Sequence, residues 1–249
     1  MTRIAIFGDI HGNIQAARTV LEDIDSAGVD RLYCLGDLIG YGASPNEVID
    51  LVRERDIPTI MGNYDDGVGS GRDDCGGAYR DAGERERGQA SLMWTRAQVD
   101  AERKAWLRSL LPEIRVEAHG HRIRLVHGSS RRMNEYLFED RDERSLERIA
   151  AVADCDVLVF GHTHIPWDRI INDVRFINAG SVGKPKDGDP RAGWLLLEVT
   201  PESVVATMQR VNYGIATAAA AIRAADGLPD HFAADTKTGG MPTSDARSG

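Results

Sequence analysis

Three times in the first 62 residues a short apolar run reaches a glycine that is followed by a carboxylate or a carboxamide. Arg3–Gly8 precedes Asp9, Leu32–Leu35 precedes Gly36-Asp37, and Ile57–Met61 precedes Gly62-Asn63. Between the runs the apolar residues fall at helical spacing: Ala17, Val20, Leu21 and Ile24 within Gln15–Ala27, and a second such pattern over Glu47–Arg53. Alternating strand and helix of this kind builds βαβ units around a parallel sheet. Ligands of open α/β sheets collect outside the carboxyl ends of the strands. The polar residue after each run is therefore a candidate functional group.

Residues 64–90, rich in Gly, Asp and Arg, break the pattern and read as a lid-like insertion whose carboxylates Asp65, Asp66, Asp73 and Asp74 could tune a site beneath it. A helix is expected over 91–110, ended by Pro112. A hairpin follows, Ile114–Ala118 with Arg122–His127 around Gly120, and then a helix near Glu143–Val152 and a strand at Val157–Phe160. Arg169–Ile171 and Val174–Ile177 form a second hairpin across Asn172-Asp173. Trp194–Val199 and Val204–Val211 add strands, and Ile215–Ala225 is an Ala-rich helix. The early half is thus βα and the later half mainly β, as in two packed sheets with helices outside. The expected domain is 1–232, with 233–249 a disordered tail.

Composition narrows the partners. With 39 acidic and 30 basic residues the net charge is −9, which disfavours bulk nucleic-acid binding and attachment to anionic membranes. No apolar stretch reaches the ~18 residues a membrane span needs, and the N-terminal apolar run is too short for a signal peptide. Cys34, Cys75 and Cys155 have no paired spacing and read as reduced thiols, so a cytoplasmic location is expected.

Five polar clusters follow apolar runs: Asp9-Ile10-His11-Gly12-Asn13, Gly36-Asp37, Gly62-Asn63, His127-Gly128 and Gly161-His162-Thr163-His164. Four of the seven histidines lie in them. Carboxylate, imidazole and amide suit borderline divalent metals such as Mn, Fe and Zn, and the lack of a thiolate argues against a structural zinc site. With Asp37 as a candidate bridge, seven side chains from these clusters would supply four bonds to each of two metals. Two metals ~3.5–4 Å apart can clamp a phosphate and activate a shared water for in-line attack.

The ordered series resembles the calcineurin-like metallophosphoesterases, whose pattern is D-x-H, G-D, G-N-[HD], H and G-H-x-H, and looks closest to their small bacterial phosphodiesterase branch. The resemblance runs from Ile4 to about Gly183 and includes Asn178-Ala179-Gly180-Ser181-Val182-Gly183. It implies an α/β fold, a four-layer α/β/β/α sandwich of two packed mixed sheets with flanking helices. It also implies two divalent ions, manganese first and Fe, Zn or Ni as alternatives. Asp9, His11, Asp37 and His164 would hold one; Asp37, Asn63, His127 and His162 would hold the other. The implied activity is hydrolysis of a small phosphoester, a nucleotide among the candidates, by a metal-activated water or hydroxide, with Asp37 and Asn63 in the catalytic set.

Two departures refine this expectation. The family usually places a histidine after Gly-Asn, where this chain has Tyr64. A phenol of pKa about 10 is a poor proton donor to a leaving oxygen, so phosphodiesters or activated esters are favoured over ordinary monoesters. No arginine follows Asp37, which separates the chain from the protein-phosphatase branch. Tyr64 and Arg131 are candidate substrate contacts, while Arg132, Lys184 and Lys186 read equally as solvated loop residues. His119 and His121 read as a solvated hairpin tip and His231 as idle. The competing class is a catalytically weak scaffold, or a protein of the same fold that binds a nucleotide or a partner.

Overall fold

Alternation of side chains along the strands sets the architecture. The computed structural model describes residues 1–77 and 81–240. Strand β1 (Thr2–Phe7) pairs in parallel with β2 (Arg31–Cys34) and antiparallel with β8 (Ala192–Val199), which in turn pairs antiparallel with β9 (Val204–Val211). The second sheet runs β3 (Glu113–Ala118), β4 (His121–Val126), β5 (Val157–Phe160), β7 (Val174–Asn178), β6 (Trp167–Ile171); its three central strands are parallel and a hairpin closes each edge. Both sheets are mixed.

Successive residues point to opposite faces of a strand, and each central strand is apolar on both. Ile4, Ile6, Leu195, Leu197 and Val199 meet Ile123, Leu125, Val157 and Val159 in a core between the sheets. Their neighbours Ala5, Phe7, Trp194 and Leu196 pack outward under α1 (Ile14–Ala27) and α2 (Pro45–Glu54). On the other side Leu158, Phe160 and Phe176 pack under α6 (Glu143–Ala150). Four layers result, α/β/β/α, as the resemblance implies.

Helix ends follow local chemistry. Asn13 caps α1 by accepting from the Ala16 N–H, and Gly28 ends it in the left-handed region, where a Cβ is costly. Pro45 opens α2, where its missing N–H is harmless.

Three expected elements differ. Ile57–Met61 makes only isolated bridges, Cys34 to Thr59 and Ile60 to Leu111, because Pro58 has no N–H to extend a ladder. The helix expected over 91–110 is two, α4 (Ala82–Gln98) and α5 (Ala101–Arg108), broken where Val99 turns extended and Asp100 caps the second by accepting from the Arg103 N–H. Residues 64–90 therefore hold α3 (Asn63–Gly69) and half of α4 rather than one long loop, with 78–80 outside the described residues.

The tail also starts later than 233. Helix α7 (Ile215–Ala224) packs against α8 (His231–Thr238), whose Phe232 and Ala233 are buried with Ala219, Ile222 and Leu228. So small an apolar set in a short helix leaves little periodicity to read. The remainder of the expected tail, 241–249, lies outside the described residues.

Leu197, fully buried between the sheets, tests this core. Leu197→Ala should cost about 2–5 kcal/mol in urea-induced unfolding, from lost transfer energy and the cavity left behind.

Candidate metal centre

The carboxyl ends of β1 and β2 in one sheet face those of β4 and β5 in the other, and the five clusters meet there. Asp9 and Asp37 follow β1 and β2, and His127 and His162 follow β4 and β5. Asn63 is the first residue of α3, and His164 ends the turn begun at Gly161. All seven candidate side chains belong to buried residues.

Five of the seven have positive φ: Asp9 (51°), His11 (51°), Asp37 (50°), His162 (67°) and His164 (61°). Left-handed backbone is unfavourable for most side chains, though Asp and His tolerate it better than bulkier residues. Its concentration at one site means that the surrounding structure holds the turns open and aims their side chains inward.

Two glycines let the clusters close. A Cβ on Gly62 would lie 2.1 Å from Asp37 Oδ1, and one on Gly161 would lie 2.3 Å from Asp9 Oδ2. Each carboxylate thus rests on the glycine of another motif. The same oxygens are tied: Asp9 Oδ2 accepts from the His162 N–H at 3.0 Å, and Asp37 Oδ1 from the Tyr64 N–H at 2.8 Å. The second oxygen of each carboxylate faces imidazoles. Asp9 Oδ1 is 3.2 Å from His164 Nε2 and 3.7 Å from His11 Nε2. Asp37 Oδ2 lies between His11 Nε2 at 3.6 Å and His127 Nε2 at 3.4 Å.

Three imidazoles are oriented from behind. Nδ1 of His11, His127 and His164 contacts the carbonyls of Ile39, Leu35 and Lys184 at 2.9, 2.8 and 2.6 Å. Donation from Nδ1 aims each Nε2 into the cleft, an arrangement typical of metal-ligating histidine. The Asn63 amide is fixed similarly. Its Nδ2 donates to the Cys75 carbonyl at 3.1 Å, which turns Oδ1 toward His127 Nε2, also at 3.1 Å.

The donor set fits cations. His11 Nε2 and His164 Nε2 stand 3.1 Å apart with their lone pairs opposed, a repulsive contact that a shared cation relieves. Asp9 Oδ1 and His162 Nε2 are buried without a hydrogen-bond partner, and such orphaned groups call for an explanation. The ligand atoms fall into two groups that could each hold a metal ion: Asp9, His11 and His164, and Asp37, His127 and His162.

Electrostatics point the same way. Burial pushes the Asp9 carboxyl up, but the facing His164 and His11 imidazoles outweigh it and hold the group well below its usual range. Burial pushes His162 down to about 3, reinforced by the charge on His127, and His164 down to about 4, reinforced by Lys186. Both rings are neutral near pH 7, the form that ligates. At His127 burial is overcome by the neighbouring Asp37 carboxylate, which raises the ring to about 10. The centre thus draws positive charge to the edge of Asp37.

The other candidates are engaged outside the two ligand groups. Arg131 is held by Glu135, which also engages Arg141. The Tyr64 ring is buried over Gly40, 5.5 Å from the His11 ring. His119 pairs with Thr2 and His121 with the Thr200 carbonyl, while His231 lies 3.3 Å from Asp235.

Several residues outside the seven support the donors, among them Asp65, one of the expected tuning carboxylates, and Asn178 and Ser181 of the segment included in the resemblance. Asp65 accepts from the N–H groups of Asp37, Leu38 and Gly62 and so shapes the turn bearing Asp37; burial and the Asp37 charge raise it to about 7. Asn178 Nδ2 donates to Gly161 O and Thr163 Oγ1, and Ser181 Oγ donates to Asp9 O at 2.7 Å. Lys184 is buried rather than solvated, with Nζ 2.6 Å from Asp235 Oδ2 and over the ring of Tyr41, which packs on His11.

Residues 2–202 match the model of the calcineurin-like phosphoesterase superfamily domain. An uncharacterised protein of Methanocaldococcus jannaschii is 30% identical over 230 residues, 85% of this chain and 88% of that one. Phosphodiesterase YfcE of Escherichia coli strain K12 is 26% identical over 216 residues, 83% of this chain and 92% of its own. The crystal structure of a metallophosphoesterase from Sphaerobacter thermophilus superimposes with a TM-score of 0.76 at 30% identity, covering 96% of this chain and 99% of the other.

Ser181 tests the outer supports, since its hydroxyl holds the Asp9 carbonyl and accepts from the Lys184 N–H. Ser181→Ala should weaken Mn²⁺ binding by about tenfold or more in a chelator-competition titration.

Proposed function

The chain belongs to the calcineurin-like phosphoesterase superfamily, and from that footing we propose that it is a binuclear metal-dependent hydrolase of phosphodiesters. The observation that carries the reading is the position of Asp37 Oδ2 between His11 on one side and His127 on the other. A single oxygen there can serve both groups. Asp9, His11, Asp37 and His164 would hold one divalent ion and Asp37, Asn63, His127 and His162 the other, with manganese the first expectation. When bound, the pair would polarise the phosphoryl oxygens and lower the pKa of a water nucleophile.

The protein's own contribution is positioning. Backbone N–H groups of His162 and Tyr64 fix the two carboxylates, three carbonyls fix the imidazoles, and Cys75 fixes the Asn63 amide. Tyr64 supplies no proton donor of suitable pKa for an alkoxide leaving group. That supports a preference for diesters and activated esters. A cytoplasmic location and a small phosphoester substrate belong to the same proposal; three buried free cysteines are in keeping with the former. No helix among the described residues is long and apolar enough to cross a membrane.

Purified protein supplemented with Mn²⁺ should hydrolyse bis(p-nitrophenyl) phosphate, and Asp37→Ala should lower kcat/KM by roughly 1,000-fold or more, the equivalent of several kcal/mol of lost charge stabilisation. Equal inertness of the wild type and the variant across metals and phosphoesters would reject the hydrolase and leave the scaffold reading. Tyr64→His should raise the ratio of p-nitrophenyl phosphate to bis(p-nitrophenyl) phosphate turnover at matched metal content. An unchanged ratio would remove this position from control of substrate class.

A further inference from the structure

An aromatic ladder leads outward from the metal centre. The Tyr136 ring lies 4.0 Å, centroid to centroid, from the His162 imidazole. Phe138 stacks on Tyr136 at 6.0 Å with 21° between the planes, and is 40% exposed. Single exposed aromatics are ordinary. Two stacked rings that continue the line of a candidate ligand are not explained by chance exposure.

The segment bearing them is braced from behind. Leu137, between the two rings in sequence, is fully buried with Phe160 and Trp167. Its carbonyl accepts from Trp167 Nε1 at 2.9 Å, and the Tyr136 carbonyl accepts from Arg141 Nη1 at 2.7 Å. The Glu139 carbonyl accepts from Arg169 at 2.8 Å. Glu135, pushed up by burial yet held down to about 2 by Arg131, Ser129 and Arg141, clamps the start of the segment. A surface ordered in advance does not pay that ordering cost on binding.

We propose that Tyr136 and Phe138 form a stacking platform for the planar group of the substrate, a nucleobase or comparable aryl ring, and so select nucleotide-type esters. Orientation follows from charge. The exposed acidic residues Glu139 and Asp140 directly follow Phe138 in the chain and disfavour a phosphate there, whereas the His162 end borders the proposed cations. The phosphorus thus sits at the metals and the ring lies over Tyr136 and Phe138. This inference rests on the phosphoesterase reading and adds its substrate class.

The test compares adenosine 5′-monophosphate with ribose 5-phosphate, which share the phosphoryl ribose and differ in the base. Calorimetric titration of the Mn²⁺-loaded protein should show the adenine compound binding about tenfold or more tightly, within the range of base–aromatic stacking. Phe138→Ala should reduce that preference at least about fivefold, while Phe138→Trp retains it. Equal binding by the wild type, or a preference unchanged in Phe138→Ala, overturns the platform and leaves the hydrolase standing. Failure of both compounds to bind overturns the platform, and turnover of bis(p-nitrophenyl) phosphate by the same Mn²⁺-loaded protein decides the hydrolase separately.

Discussion

The hydrogen bond from the His162 N–H to Asp9 Oδ2 joins the carboxyl edges of the two sheets at the point where the charges are buried. Its counterpart, the Tyr64 N–H on Asp37 Oδ1, joins the start of α3 to the turn after β2. Removing a carboxylate from water is costly unless it is hydrogen-bonded and paired. Here one oxygen of each is satisfied by backbone and the other faces imidazole. Half of each carboxylate therefore belongs to the fold and half to the chemistry.

This division explains why the glycines matter. Gly62 and Gly161 are not needed for their freedom of rotation, since neither has positive φ. They are needed because a carboxylate from another segment occupies the space of their missing side chains. Gly161 and Asp9 interlock across more than 150 positions of sequence, Gly62 and Asp37 across 25.

Much of the fold was legible because each core strand carries its packing in its alternation. Val157–Phe160 and Val204–Val211 begin and end where the apolar pattern places them. The failures have local causes. Pro58 stops a ladder that apolar content alone suggests, and Asp100 divides a helix whose periodicity spans the break. The charged surface of α4 conceals its first half, and α8 is held by few apolar contacts. At the centre, the donors themselves stand out as residue types after strands. Their supports are less legible: Asp65 stood among four candidate loop acids, Ser181 lay in a segment given no role, and Tyr136 resembles any surface tyrosine until a fold brings it onto His162.

The left-handed backbone under five of the donors also constrains descent. Glycine, asparagine and aspartate are the substitutes that such positions accept at least conformational expense. Mutational drift at Asp9, His11, Asp37, His162 or His164 is channelled toward that short list, in which asparagine and glycine are poorer metal donors than the residues they would replace. A lineage of this architecture can therefore shed its ions by single replacements while its sheets remain intact. At these positions the demands of metal ligation and of the backbone are separable.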